Sequence, residues 1–201
     1  MAETKTSKRQ EQVYEVAAQL FHEKGYDKAS VRDIAEAIGL QKGSVYHYFE
    51  SKEDLLFQLL KDGHLDLLAG LEEVTESGAG PLEQLMDLTH RHCLYVAENS
   101  LIVGLFLNHF RSLTGVHREY IQRDRDRYEA GWRRIFIKGQ ESGEIRSDLD
   151  PVTTINGIFG LTNGIHQWYR EGEQLSAEEI GRQYAGMVSR AISAAVADGK
   201  R

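Results

Sequence analysis

The stretch Lys42-Gly43-Ser44-Val45-Tyr46-His47-Tyr48-Phe49 predicts a very short helix with two unlike faces. Val45 and Phe49 stand four residues apart, which places both on one buried side. Gln41, Lys42, Ser44, Tyr46 and His47 then face outward, offering amide, ammonium, hydroxyl, phenol and imidazole groups that hydrogen-bond phosphates or base edges. Gly43 lets the backbone approach a partner closely. Alone, such a stretch also reads as a solvated polar turn, so its neighbours decide between the two.

Upstream, Val13, Val16, Ala17, Leu20 and Phe21 recur at three- and four-residue spacing and predict a helix from about Ser7 to Lys24, stopped by Gly25. Ser30 and Asp33 read as a near capping box opening a second helix, with Ile34, Ala35 and Ile38 inward and Gly39 at its end. Two short helices separated by Gly39-Leu40-Gln41, preceded by a longer one, have the dimensions of a helix-turn-helix, whose later helix enters the DNA major groove.

Downstream, Ser51 with Asp54 caps a long helix carrying Leu55, Leu56, Leu59, Leu60, Leu67, Leu68 and Leu71, and residues 76–81 form a Gly- and Pro-marked loop. Further helices are expected at about 82–97, 101–113, 117–141, 151–170 and 176–197, with Asp150-Pro151 and the Ser176/Glu179 capping box as start signals. Leu101–Leu107 alone also fits a strand, but no partner strand is evident. The expected fold is all-α, about nine helices, with an N-terminal three-helix helix-turn-helix domain over residues 1–52 and a helical effector-binding and dimerisation domain over residues 53–201.

The composition agrees with a globular helical protein: 201 residues, 41% hydrophobic, 27% charged and only two prolines. The net charge of −7 is uneven, since residues 1–52 balance eight basic against eight acidic side chains and residues 53–201 carry the whole excess. A neutral head still binds DNA when its cations share one face, and an acidic remainder discourages indiscriminate binding. The longest apolar run, 101–107, is too short to span a bilayer, and a lone Cys93 forms no internal disulfide, so the expected location is a reducing cytoplasm.

Residues 10–60 closely resemble the DNA-binding domain of the TetR/AcrR family of transcriptional regulators. The resemblance rests on Ala17-x-x-Leu20-Phe21-x-x-x-Gly25-Tyr26, Ser30-Val31-Arg32-Asp33-Ile34-Ala35, Ala37-x-Gly39 and Lys42-Gly43-Ser44-Val45-Tyr46-x-Tyr48-Phe49-x-Ser51-Lys52-Glu53-x-Leu55. It implies an all-helical homodimer on operator DNA, a C-terminal ligand domain, and repression relieved by a small molecule. Carried over by position, it implies that Ser30, Arg32, Tyr48 and Lys52 hold phosphates and that Lys42, Gly43, Ser44, Tyr46 and His47 face the groove. Gln41 departs from the family's Ser-like cap, which opens it to base contact. Val31 and Phe49 read as core.

For the C-terminal region the family implies a ligand cavity. Candidate effector-binding residues are Phe106, Phe110, Arg111, Tyr128, Trp132, Asn156, Phe159, Asn163 and Trp168, an aromatic-rich set with polar groups inside apolar helices. Each aromatic on its own also serves as ordinary core. Residues 125–134, 143–151 and 167–170 look like the subgroup of TetR-like repressors that respond to acyl-CoA thioesters; a different hydrophobic or multidrug-type ligand is the alternative. The arginine-rich segment from Arg118 to Lys138 otherwise reads as a salt-bridged solvated face. Gly157, Gly160 and Gly164, with Tyr184, Met187, Val188 and Ala191 in a stripe that ends at Ala195, are the candidate dimer interface.

No hydrolase elbow, phosphate-binding loop, dinucleotide fingerprint or HExxH motif occurs, so neither an enzyme nor a cofactor is expected. His90-Arg91-His92-Cys93 resembles a metal cluster in composition only, because adjacent helical residues point in different directions.

Overall fold

Ser30 and Asp33 show how local chemistry sets the helices. Ser30, in extended backbone, accepts the Asp33 N–H, and the Asp33 carboxylate accepts the Ser30 N–H in return, a complete capping box. Ser176 and Glu179 repeat this arrangement, and Asp150 caps the helix that begins at Pro151. The computed structural model describes residues 2–172 and 175–194. Their helices are α1 (Ala2–Lys24), α2 (Val31–Ala37), α3 (Lys42–Val45), α4 (Lys52–Glu76), α5 (Pro81–Glu98), α6 (Ser100–His109), α7 (Gly115–Ser142), α8 (Pro151–Asn163), α9 (Ile165–Trp168) and α10 (Ala177–Ile192), with a 3-10 turn at Phe110–Ser112. With α8 and α9 taken as one run interrupted at Gly164, the described residues hold the expected nine helices. Gly25 and Gly39 end α1 and α2 at φ of 80° and 68°, where a side chain would be strained.

Leu101–Leu107 is helical, within α6. The helix expected to reach residue 170 breaks at Gly164 and ends at Trp168. The last helix ends at Ile192 rather than 197, because Ser193 turns extended and pairs with Ile145 in an isolated antiparallel bridge. Arg146 N–H donates to Ile192 O and Ala194 N–H to Glu144 O across that bridge. Ala195 and residues 196–197, expected in the helix, lie outside the described residues. No single helix among the described residues is long and apolar enough to cross a membrane.

By packing, the chain divides into two units. The first comprises the chain up to Gly63 together with Leu101–Gln122. Its core joins Val13, Ala17 and Phe21 of α1, Ile34 of α2, Val45, and Leu55, Leu56 and Leu60 of α4 to Leu105, Leu113 and Ile121. Each such side chain contributes about 1.5–3 kcal/mol on burial, so the later segment is bound into the head. The second unit comprises His64–Ser100 and the chain from Arg123 onward, with Leu71, Leu85, Leu88, Trp132, Phe136, Ile155, Ile158 and Val188 in its core. Gly131 lets α4 and α7 approach here, since a Cβ would stand 2.3 Å from a Leu71 methyl. The expected boundary after residue 52 therefore falls inside the first packing unit, which continues to Gly63 and takes back residues 101–122.

Candidate nucleic-acid interface and effector region

The head is built from the α2 cap upward. Lys24 lies 2.6 Å from Asp33, and this ammonium, followed by the Ser30 hydroxyl and N–H, holds the Asp33 carboxyl well below the ordinary carboxylate range. Ser30 is exposed at the N-terminus of α2, with its hydroxyl and N–H both given to Asp33. Arg32 is exposed beside it and paired with Glu36 at 2.7 Å. Arg9 of α1 donates to the Ile38 carbonyl at 2.9 Å and so satisfies the end of α2, a contact between remote residues that no local pattern announces.

Gln41 is the N-cap of α3 and makes no side-chain capping bond, so its amide stays exposed. Val45 and Phe49 are buried, which fixes the orientation of α3. Lys42, Gly43, Tyr46 and His47 consequently face solvent, while Ser44 and Tyr48 are half-buried. Tyr46 is 44% exposed, an unusual position for a phenol ring that has no contact to protect beyond Phe49 at 6.0 Å between centroids. Lys52 opens α4 half-buried; its ammonium sits 4.2 Å over the Tyr26 ring and donates to the Asp27 carbonyl. Burial lowers the Lys52 pKa, while burial and the nearby Glu53 and Asp27 push the Tyr26 hydroxyl up to about 12.

In the second unit, four of the expected effector residues converge. Tyr128 and Trp132 on α7 and Phe159 on α8 are in mutual ring contact, with Trp132 and Phe159 centroids 5.0 Å apart. Asn163 reaches the same cluster through His92, which the sequence reasoning missed. His92 Nδ1 lies 3.2 Å from the Tyr128 hydroxyl and Nε2 lies 3.0 Å from Asn163 Oδ1. With the amide oxygen there, Nε2–H donates to Asn163 and Nδ1 accepts from Tyr128 O–H, a neutral tautomer. Burial drives the His92 pKa down to about 4, against the opposing pull of the Asn163 bond, and burial raises that of Tyr128. The signal for His92 was available: Leu85, Leu88, Thr89, His92 and Val96 mark one buried face of α5. His90 instead points to Glu178 of α10, and Cys93 is buried with its thiol pushed up to about 12.

The other expected effector residues lie elsewhere. Phe106 and Phe110, 5.6 Å apart, and exposed Arg111 belong to the first unit. Asn156 and Trp168 are exposed. The arginines of α7 are largely engaged with acids: Arg125 and Arg133 share Glu129, and Arg127 binds Glu72.

Residues 13–59 match the model of the bacterial regulatory proteins of the tetR family, and residues 78–192 match the tetracyclin repressor-like C-terminal domain. The chain belongs to the TetR family. Its relatives include the HTH-type transcriptional repressor KstR2 of Mycobacterium tuberculosis, 33% identical over 182 residues that cover 90% of each chain. The structure of that ketosteroid transcriptional regulator superposes with a TM-score of 0.87 at 31% identity, over 92% of this chain and 95% of the other. AibR in complex with isovaleryl coenzyme A and operator DNA matches with a TM-score of 0.79 at 26% identity, over 92% of this chain and 98% of that one. TetR-family proteins are dimeric transcriptional regulators, not enzymes, and α2–α3 is the helix-turn-helix of this one.

The residues expected at a dimer interface lie on α8 to α10 and at Gly164 between α8 and α9. Val152, Leu161, Trp168 and Met187 are large apolar side chains between 39% and 50% exposed. Gly157 and Gly160 are exposed, with nothing within 4 Å of a Cβ built on either. Ala191 is exposed and Tyr184 half-buried, but Val188 sits in the core of its own unit, and Gly164 breaks the helix rather than continuing the face.

Proposed function

We propose that this protein is a cytoplasmic repressor that binds operator DNA as a homodimer through α3 and leaves it on binding an acyl-CoA thioester. The observation that carries the DNA-binding role is the burial of Val45 and Phe49, which commits Gln41, Lys42, Tyr46 and His47 to the outside. Ser30, Arg32, Tyr48 and Lys52 supply phosphate contacts, and the α3 residues read base edges. Dimerisation through Gly157, Gly160, Tyr184, Met187 and Ala191 spaces the two heads for successive major grooves.

The acyl-CoA reading is supported by the similarity to AibR, described with isovaleryl coenzyme A, and by the apolar cluster of Tyr128, Trp132 and Phe159 lined with polar His92 and Asn163. A ligand that favours a dimer with the wrong head spacing lowers DNA affinity, and by linkage DNA lowers ligand affinity equally. The test is fluorescence anisotropy of labelled DNA from upstream of the protein's own gene, challenged with acyl-CoA thioesters and the matching free acids. Selective binding released by a thioester alone supports both parts. Selective binding that no thioester disturbs retains the regulator and removes this effector class, in favour of another hydrophobic ligand.

A further inference from the structure

Asp124, Tyr128 and Trp132 occupy successive turns of α7, at i, i+4 and i+8, and all three are buried in the second unit. Two of them carry buried atoms without a hydrogen-bond partner among the described residues: Asp124 Oδ2 and Trp132 Nε1. The other Asp124 oxygen has only a loose contact, 3.7 Å from the exposed Arg123. Tyr128 donates to His92, and its hydroxyl lies close enough to the Trp132 indole to feel it yet falls short of hydrogen-bond geometry with the N–H, so that donor is left without a full partner. Folded proteins leave few buried polar atoms unsatisfied, because each forfeits its hydration without replacement.

The two atoms have opposite needs. An ionised carboxylate oxygen only accepts, and an indole N–H only donates. Eight residues of helix separate the two Cα positions by about 12 Å along the axis. Tyr128 stands between them on the helix, and Phe159 packs against Tyr128 and Trp132, so the face offers apolar ring surface.

We infer that this face of α7 selects an effector bearing a hydrogen-bond acceptor at one end and a donor, such as a hydroxyl, at the other, with an apolar body between. Trp132 donates to the acceptor, which in a thioester is the carbonyl oxygen, and Asp124 accepts from the distal hydroxyl. This rests on the proposed acyl-CoA response and makes it specific: an acyl group hydroxylated far from the thioester is preferred to the plain chain.

The test is calorimetric titration of the full-length protein with decanoyl-CoA and with its ω-hydroxy counterpart, whose extended chain spans the required length. The hydroxylated thioester is expected to bind about tenfold more tightly, as befits one hydrogen bond to a charged group. Asp124→Leu should erase that preference while retaining decanoyl-CoA binding, and Asp124→Asn should reduce it. Trp132→Phe keeps a ring, removes the N–H and should weaken both thioesters alike.

Equal affinity of the two thioesters in the wild type, or a preference that survives Asp124→Leu, overturns the inference. If neither thioester binds, the acyl-CoA reading fails, and the ligand-free protein decides the rest. A carboxylate kept unpaired for a ligand destabilises the empty protein, so Asp124→Leu should raise its Tm by several degrees. An unchanged or lowered Tm then assigns Asp124 a structural role and overturns the inference.

Discussion

Glu53 Oε2 lies 2.9 Å from His117 Nδ1, and its other oxygen accepts the Thr114 N–H at the start of α7, also at 2.9 Å. His117 is held flat against Phe57, 4.0 Å between ring centroids. A carboxylate from the first turn of α4 thus serves the N-terminus of another helix, where negative charge is favoured. The preceding residue is Lys52. Through Tyr26, which also contacts His109 at the end of α6, Lys52 shares its setting with the same returning segment.

Glu53→Ala should therefore destabilise the protein by about 1–2 kcal/mol, the usual scale for a lost helix-terminal carboxylate with its hydrogen bonds. Operator binding should weaken at every salt concentration in parallel with the wild type, since Glu53 neutralises no phosphate. Anisotropy titrations across a salt series distinguish a parallel shift from a change in slope.

Lys52→Ala should instead change the slope. If the ammonium pairs with one phosphate in the complex, the variant binds all DNA sequences less tightly and its logarithmic salt slope falls by about one unit. An unchanged slope in the same titration would leave Lys52 with only its contacts to the Tyr26 ring and the Asp27 carbonyl.

Tyr46→Ala removes an exposed ring, so the Tm should stay within the scatter of ordinary surface variants. Selective operator binding should be lost while effector affinity persists, measured by anisotropy and calorimetry on the same preparation. Equal loss of both would contradict the role assigned to α3.

His92 makes stability depend on pH. Its pKa is about 4 in the folded protein against an ordinary 6.5, so the unfolded chain holds more protons between those values. The associated stability is fully present above pH 6.5 and is lost as pH falls toward 4, by about 3 kcal/mol. His92→Leu should flatten this part of the Tm profile, leaving the acid-side loss from carboxylates such as Asp148 and Asp150, whose pKa values are also lowered.

A Cβ built on exposed Gly160 meets nothing within 4 Å among the described residues, so folding of the subunit should tolerate Gly160→Leu, which places a bulky side chain on the outer face. If α8 pairs with its symmetry mate, sedimentation velocity should show a weaker dimer than the wild type, with operator affinity falling in step.

The features legible in the sequence are those decided within a few residues. Ser30 with Asp33, Ser176 with Glu179 and Asp150 with Pro151 act through hydrogen bonds confined to one turn, and the Val45/Phe49 spacing fixes which side of α3 is covered. Phe106 and Tyr128 look equivalent as sequence, two aromatics in neighbouring helices, yet they belong to different packing units. That separation follows from Leu105, Leu113 and Ile121 joining the core of α1 to α4, a contact between distant residues that periodicity alone does not announce. His92 was obscured for the contrary reason: its neighbours His90, Arg91 and Cys93 drew the comparison with a metal site, whereas the face it shares with Leu85 and Val96 determines its surroundings.

The inclusion of residues 101–122 in the first unit bears on how such proteins can be recombined. A hybrid regulator that grafts residues 1–63 onto a foreign effector domain would present Val13, Phe21 and Leu56 with unmatched partners in place of Leu105, Leu113 and Ile121. Interchangeable operator specificity in this fold calls for a discontinuous transplant, two pieces of chain exchanged together.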